Sequence, residues 1–144
     1  MAHYRTTVQS SMDVATAFDY MADFSNAATW DPGVVAAERL GDGPVALGSR
    51  FLLQAAFGKS VLPLEYVIAA YEPGKRLVVV AETEKVRSLD EITFVATANG
   101  SAVTYDAVLD TRGSFRWATP IVALMFRSIG NKAREGLRRE LNRS

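Results

Sequence analysis

The chain contains no cysteine, an absence that removes disulfides, thiol nucleophiles and thiolate-bound metals together. Histidine is almost as scarce: His3 stands alone, so a Ser-His-Asp arrangement would have to be assembled around a residue at the very start of the chain. No histidine pair or carboxylate cluster has metal-ligand spacing, and calcium-loop, phosphate-loop and dinucleotide fingerprints are missing. No metal and no cofactor are therefore expected. The longest apolar run, Ile121 to Phe126, falls far short of the roughly 20 residues that cross a bilayer. His3 and Arg5 occupy positions where a signal peptide needs an apolar core, and a cytoplasmic location is the expectation. A surplus of one charge sign is missing too, since 16 basic residues balance 16 acidic ones. The balance is uneven along the chain: from Arg112 onward eight basic residues face only Glu135 and Glu140. A solvated helix face balancing an acidic body accounts for this, and nucleic acid is not the expected partner.

What remains is an ordinary globular composition, 49% hydrophobic and 22% charged over 144 residues, in the size range of one domain covering residues 1–144. Tyr4 to Gln9 reads as a first strand. Val14, Ala17, Phe18 and Met21 form the apolar stripe of a short helix capped by Ser11 or Asp13. A second short helix or turn follows around Asp23 to Thr29, and Trp30-Asp31-Pro32-Gly33 stops it. Strand-like segments then occupy some eighty residues: Val34–Leu40, Gly48–Phe57, Val61–Glu72, Leu77–Glu84, Glu91–Ala98 and Ala102–Thr111. Pro73-Gly74 and Asn99-Gly100 mark the turns between two of the pairs. In the second segment both faces are partly apolar, so alternation does not say which points inward. In the third it does: Leu62, Leu64, Tyr66 and Ile68 share one parity and Glu65 lies on the other.

The last helix, Pro120 to about Leu141, carries Val122, Phe126, Ile129, Ala133, Leu137 and Leu141 at steps of three and four, a single stripe that must meet an apolar surface. Gly130 and Gly136 interrupt it, although glycine inside a helix costs about 1 kcal/mol relative to alanine. Such positions imply either a close approach by a neighbouring element or space left open. With helices segregated from a run of sequential strands, the fold class is α+β around an antiparallel sheet.

This order of elements resembles the START-like superfamily, also called SRPBCC, and within it the polyketide cyclase/dehydrase-like proteins. The resemblance spans nearly the whole chain. It is carried by Trp30-Asp31-Pro32-Gly33-Val34, Gly48-Ser49-Arg50-Phe51, Tyr66 through Tyr71-Glu72-Pro73-Gly74-Lys75-Arg76-Leu77, Ile92-Thr93-Phe94 before Asn99-Gly100, Val103-Thr104-Tyr105, and Gly113 leading to Pro120. It implies a helix-grip fold, a curved antiparallel sheet wrapped around the long C-terminal helix with an apolar cavity between them. The residues expected to line such a cavity on the strands are Phe51, Leu53, Tyr66, Phe94 and Tyr105. On the last helix they are Met125, Phe126 and Ile129, with Trp30 and Trp117 at the mouth. No catalytic residue is assigned. Were the protein an enzyme, its polar groups would come from Arg50, Gln54, Glu65, Tyr66, Glu82, Arg87 and Asp106.

Three functions follow in order of expectation. The first is binding of a small hydrophobic molecule such as a lipid or polyketide, by a monomer or homodimer. The second is a polyketide aromatase/cyclase or dehydratase. The third is a regulatory or toxin-like interaction protein. Fold resemblance alone does not choose among them.

Overall fold

The computed structural model describes residues 2–143. Seven strands form one sheet in the order β1-β7-β6-β5-β4-β3-β2, every neighbouring pair antiparallel. In chain order the elements are β1 (Ala2–Ser10), α1 (Val14–Ala22), α2 (Ala27–Trp30), β2 (Val34–Leu40), β3 (Arg50–Phe57), β4 (Ser60–Glu72), β5 (Arg76–Glu82), β6 (Val86–Thr97), β7 (Gly100–Thr111) and α3 (Thr119–Glu140). Short 3-10 turns, Phe24–Asn26 and Gly113–Ala118, lead into α2 and α3. The strands from β2 to β7 follow one another across the sheet as hairpins, and β1 closes the far edge against β7. Register shifts between Val34 and Ala36 and between Ile68 and Ala70 bend the sheet toward the helix it wraps.

Local chemistry accounts for the boundaries. Asp13 caps α1, its carboxylate accepting the Thr16 N–H at 2.8 Å and satisfying an amide that the helix leaves unpaired. Pro120 occupies the first turn of α3, where no N–H is needed. The Asn99-Gly100 hairpin forms one residue out of the expected phase. Thr97 pairs with Gly100, which leaves Ala98 and Asn99 as the loop. Gly100 has φ of +153°, and a Cβ there would stand 2.1 Å from the Ser10 carbonyl oxygen. Glycine lets the chain leaving β1 cross the hairpin at that distance.

One expectation needs correction. β6 begins at Val86, not at Glu91, because Arg87, Ser88 and Asp90 look like turn residues. In the fold they continue the alternation: Val86, Ser88, Asp90, Ile92 and Phe94 point inward.

Along α3, about 33 Å from its rise per residue, Val122, Ala133, Gly136 and Leu137 are buried. Both glycines are explained by close approach. The Trp30 carbonyl oxygen lies 1.9 Å from where a Gly136 Cβ would be, and the Tyr4 ring lies 2.6 Å from the corresponding point at Gly130. The C-terminal end of α3 is tied down by polar contacts. Ser10 Oγ donates to the Leu141 carbonyl at 2.6 Å. Asn142 Nδ2 donates to the Gln9 carbonyl at 2.9 Å, and Arg139 Nη2 to the Thr29 carbonyl at 2.9 Å. Glu140, buried, meets Arg139 at 3.0 Å and Arg143 at 3.2 Å, which balances its charge. None of the helices in the described residues is long and apolar enough to cross a membrane.

Candidate functional site

Between the sheet and α3 the core does not close. Two chambers remain, of about 120 Å³ and about 100 Å³, and they share Asp31, Tyr66, Ser88, Phe126 and Ile129 as common wall. The first chamber runs toward β3 and β4, where Leu53, Phe57 and Leu64 face Val122 and Met125. The second runs toward β1 and β7, where Tyr4, Trp30 and Tyr105 face Ala133 and Leu137. Apolar side chains make up most of both, as expected where inward parity on curved strands meets the stripe of an amphipathic helix.

A polar seam crosses the floor between the chambers, and strand register places it there. Ala81 on β5 stands opposite Tyr66 on β4 and opposite Ser88 on β6. Its methyl group is small enough for the Tyr66 hydroxyl to pass over the intervening strand and meet Ser88 Oγ at 2.8 Å. Asp90 is directly opposite Ala107 on β7. Tyr105, two residues earlier on β7, reaches it diagonally and donates its hydroxyl to Asp90 Oδ2. Ser88 Oγ donates to Asp90 Oδ1 at 3.4 Å. With the Ser88 proton directed to Asp90, Tyr66 is the donor to Ser88. Aromatic edges hold both phenols: Trp30 packs against Tyr105 at 5.3 Å and Phe24 against Tyr66 at 5.1 Å between ring centroids. Asp31 enters from the turn after α2. Its Oδ1 accepts the Gly33 N–H at 2.8 Å, the short Asx turn that the Asp-Pro-Gly sequence favours.

Burial dominates the electrostatics of this seam. It raises the Asp90 carboxyl to about 7, the hydrogen bonds from Tyr105 and Ser88 pulling down while the Asp31 charge pushes further up. Asp31 is raised to about 6 by burial, against the Gly33 N–H. Tyr66 and Tyr105 are pushed well above the ordinary phenol range, by burial first and then by Asp90. At neutral pH the phenols therefore remain donors, while the Asp90 carboxyl, raised to about 7, lies in the range suited to an acid or base.

Of the residues expected to line the cavity, Leu53 and Met125 stand in the first chamber and Trp30 and Tyr105 in the second, with Tyr66, Phe126 and Ile129 in both. Three do not reach it. Phe51 is fully buried in the core behind the wall, 6.4 Å from Phe24. Phe94 packs on Phe18 at 5.3 Å. Trp117, in the turn before α3, is 72% exposed and packs on Phe115 at 6.2 Å, outside the lining of both chambers. Among the polar candidates only Tyr66 faces inward. Arg50 pairs with Glu65 at 3.5 Å, Arg87 with Glu82 at 3.9 Å, and Asp106 with His3 at 2.6 Å. Those pairs, like Gln54, occupy the opposite parity, on the outer face of the sheet. Sequence reasoning missed Ser88, Asp90 and Asp31. The first two were legible in the alternation Val86-x-Ser88-x-Asp90-x-Ile92-x-Phe94, which puts two polar residues at inward positions.

A seven-stranded antiparallel sheet gripping a long C-terminal helix, with an open interior between them, defines the helix-grip, START-like class. The chain belongs to the family described as polyketide cyclase / dehydrase and lipid transport, whose model matches residues 1–142. A START superfamily protein from Mycobacterium smegmatis superposes with a TM-score of 0.75 at 11% identity, over 98% of this chain and 97% of that one. A protein from Thermus thermophilus gives 0.76 at 10% identity, over 97% and 95%. The di-domain ARO/CYC StfQ from the steffimycin biosynthetic pathway gives 0.67 at 13% identity, over 97% of this chain and 50% of that one. At such identities the likeness is one of fold. Among curated proteins no match by sequence is found.

Proposed function

We propose that the protein binds a small, largely apolar molecule between the sheet and α3, with the polar end of that molecule held at the seam of Tyr66, Ser88, Asp90 and Tyr105. The observation that carries the reading is the division of the interior into two apolar chambers by a strip of hydrogen-bonding groups. Pockets of this make-up, apolar walls with a few convergent polar groups, are where small ligands bind. The family description, which joins polyketide cyclases and dehydrases with lipid transport, agrees with an apolar cargo.

The test is a thermal-shift screen of lipids and aromatic polyketide-like compounds, followed by native mass spectrometry of the hits. Ligands that stabilise the wild type are expected to lose much of their effect in Ile129→Trp, which fills both chambers from α3. Hits that stabilise the filled variant equally would show that they bind elsewhere, and the proposal would fall.

The second reading, a cyclase or dehydratase, is favoured by one specific observation: a carboxyl, Asp90, stands in the cavity wall within a chain of hydrogen bonds from Tyr105, Ser88 and Tyr66, with its proton affinity raised by burial to about 7. Those groups are suited to polarising a carbonyl and moving a proton next to it. Incubating a bound polyketide-like compound and following it by mass separates the readings. A ligand recovered unchanged means binding alone, and loss of water or a change of ring count means catalysis.

A further inference from the structure

The seam has a sign as well as a polarity. Two carboxyl groups, Asp31 and Asp90, line the second chamber, and the donors Tyr66, Tyr105 and Ser88 around them are directed at one another or at Asp90. One Asp31 oxygen accepts from the Gly33 N–H, and that backbone amide is the only hydrogen bond found for its carboxyl among the described residues. Arg134, the one cation lining this chamber among the described residues, is an exposed residue of α3, where water screens it. An anion arriving here would be buried against two acids, at a desolvation cost with no buried counter-charge to offset it. A donor, by contrast, would meet the Asp31 carboxyl, which accepts a single hydrogen bond, from the Gly33 N–H at 2.8 Å.

Resting on the reading of this cavity as a ligand site, we infer that the ligand's polar end is a hydrogen-bond donor, an amine or a hydroxyl, and that the cavity selects against carboxylates. The class of molecule is thus an apolar body, of ring or chain type, ending in an amino or hydroxyl group. A fatty acid or other carboxylate of the same body is excluded. The proton affinities of Asp31 and Asp90, raised by burial to about 6 and about 7, agree with a pair of acids lacking a cationic partner.

Naphthylethylamine, naphthylethanol and naphthylacetate share one apolar body and differ in the polar end. Binding of all three to the wild-type protein, measured by calorimetry at neutral pH, is expected to favour the amine and the alcohol over the carboxylate by about tenfold or more. In Asp31→Asn the amine is expected to lose most of that margin while the alcohol keeps its own, because an amide still accepts a hydrogen bond but carries no charge. Circular dichroism confirms that the variant folds, and the wild-type comparison stands without it. If naphthylacetate binds wild type as tightly as naphthylethylamine, the inference is overturned while the cavity remains a ligand site. An undiminished amine margin in a folded Asp31→Asn overturns the assignment of that preference to the carboxyl. Should none of the three bind, the reading of the cavity as a ligand site fails, and the inference with it.

Discussion

Between pH 5 and pH 8 the protein is expected to become less stable, by about 3 kcal/mol from Asp90 alone. The direction follows from proton counts. In the unfolded chain an aspartate releases its proton near 3.8, whereas in the fold Asp90 holds it to about 7. Over the interval between, the native state binds more protons than the unfolded one, so stability falls as pH rises. The contribution is fully present below about 3.8, declines through the acidic range and is exhausted above about 7. Asp31, raised to about 6, adds to the decline in its lower part. Most globular proteins lose stability toward acid because their paired carboxylates must be protonated. Here Asp90, buried without a cationic partner, and the partly buried Asp31 work in the other sense. Urea denaturation at intervals across this range measures the slope. In Asp90→Asn, which keeps an acceptor for Tyr105 and removes the titration, the slope is expected to flatten to what Asp31 leaves. Equal stability of the wild type at pH 5 and pH 8, or an unchanged slope in Asp90→Asn, would contradict the account.

Replacing Gly136 is expected to cost more than any exposed substitution on α3. A single added methyl in Gly136→Ala would place carbon 1.9 Å from the Trp30 carbonyl oxygen and 2.7 Å from its carbonyl carbon, and the obstacle is backbone, which cannot rotate away. Either α2 moves or α3 lifts, and each displaces the Trp30 ring and the Asp31 turn that follows it. The expected loss is about 3 kcal/mol, at the upper end of overpacking penalties, or failure to fold. Gly130→Ala supplies the contrast. Its new methyl meets the Tyr4 ring at 2.6 Å, and a partly exposed side chain can swing aside, giving up the bond from its hydroxyl to Asn131 at 2.9 Å. Losing that bond costs about 1 kcal/mol, and the better helix propensity of alanine returns a similar amount, so this variant is expected to stay close to wild-type stability. Denaturant midpoints of the two variants decide the matter. A Gly136→Ala protein as stable as wild type would mean that the helices do not cross as closely as described.

The fold was largely legible in the sequence because most strands advertise their inward face. In β4 the alternation of Leu62, Leu64, Tyr66 and Ile68 against Pro63, Glu65 and Val67 set the parity, and Glu65 does face outward to Arg50. The stripe on α3 was equally plain. The candidate site was legible only in its apolar half. Ser88 and Asp90 made the first turn of β6 look like a loop, since inward positions of a strand are ordinarily apolar. The residues that break the pattern are the ones that build the seam, so the same substitutions that give the cavity its chemistry concealed the strand carrying it. Asp31 was hidden differently: in Trp-Asp-Pro-Gly an aspartate reads as turn punctuation, and only the crossing of α2 over Gly136 brings it to the cavity wall. The exposure of Trp117 was not legible, because nothing in its local pattern distinguishes a ring at a cavity mouth from one in solvent.

The ties on α3 are unevenly distributed along its length, and this has a kinetic consequence. At the C-terminal end the Trp30 carbonyl abuts Gly136, while Ser10, Gln9 and Thr29 hold Leu141, Asn142 and Arg139. At the other end the helix is joined to the sheet by Thr119, whose hydroxyl meets that of Thr111 at 2.5 Å, and Ile121 and Leu124 face solvent. A roof fixed at one end opens as a lever from the other. Raising the segment around Val122, Met125 and Phe126 would uncover the first chamber and, because Phe126 walls both, the near edge of the second. A molecule bound as proposed would then enter and leave by the first chamber, and its residence time would depend on how often the first turns of α3 lift as well as on how firmly it is held.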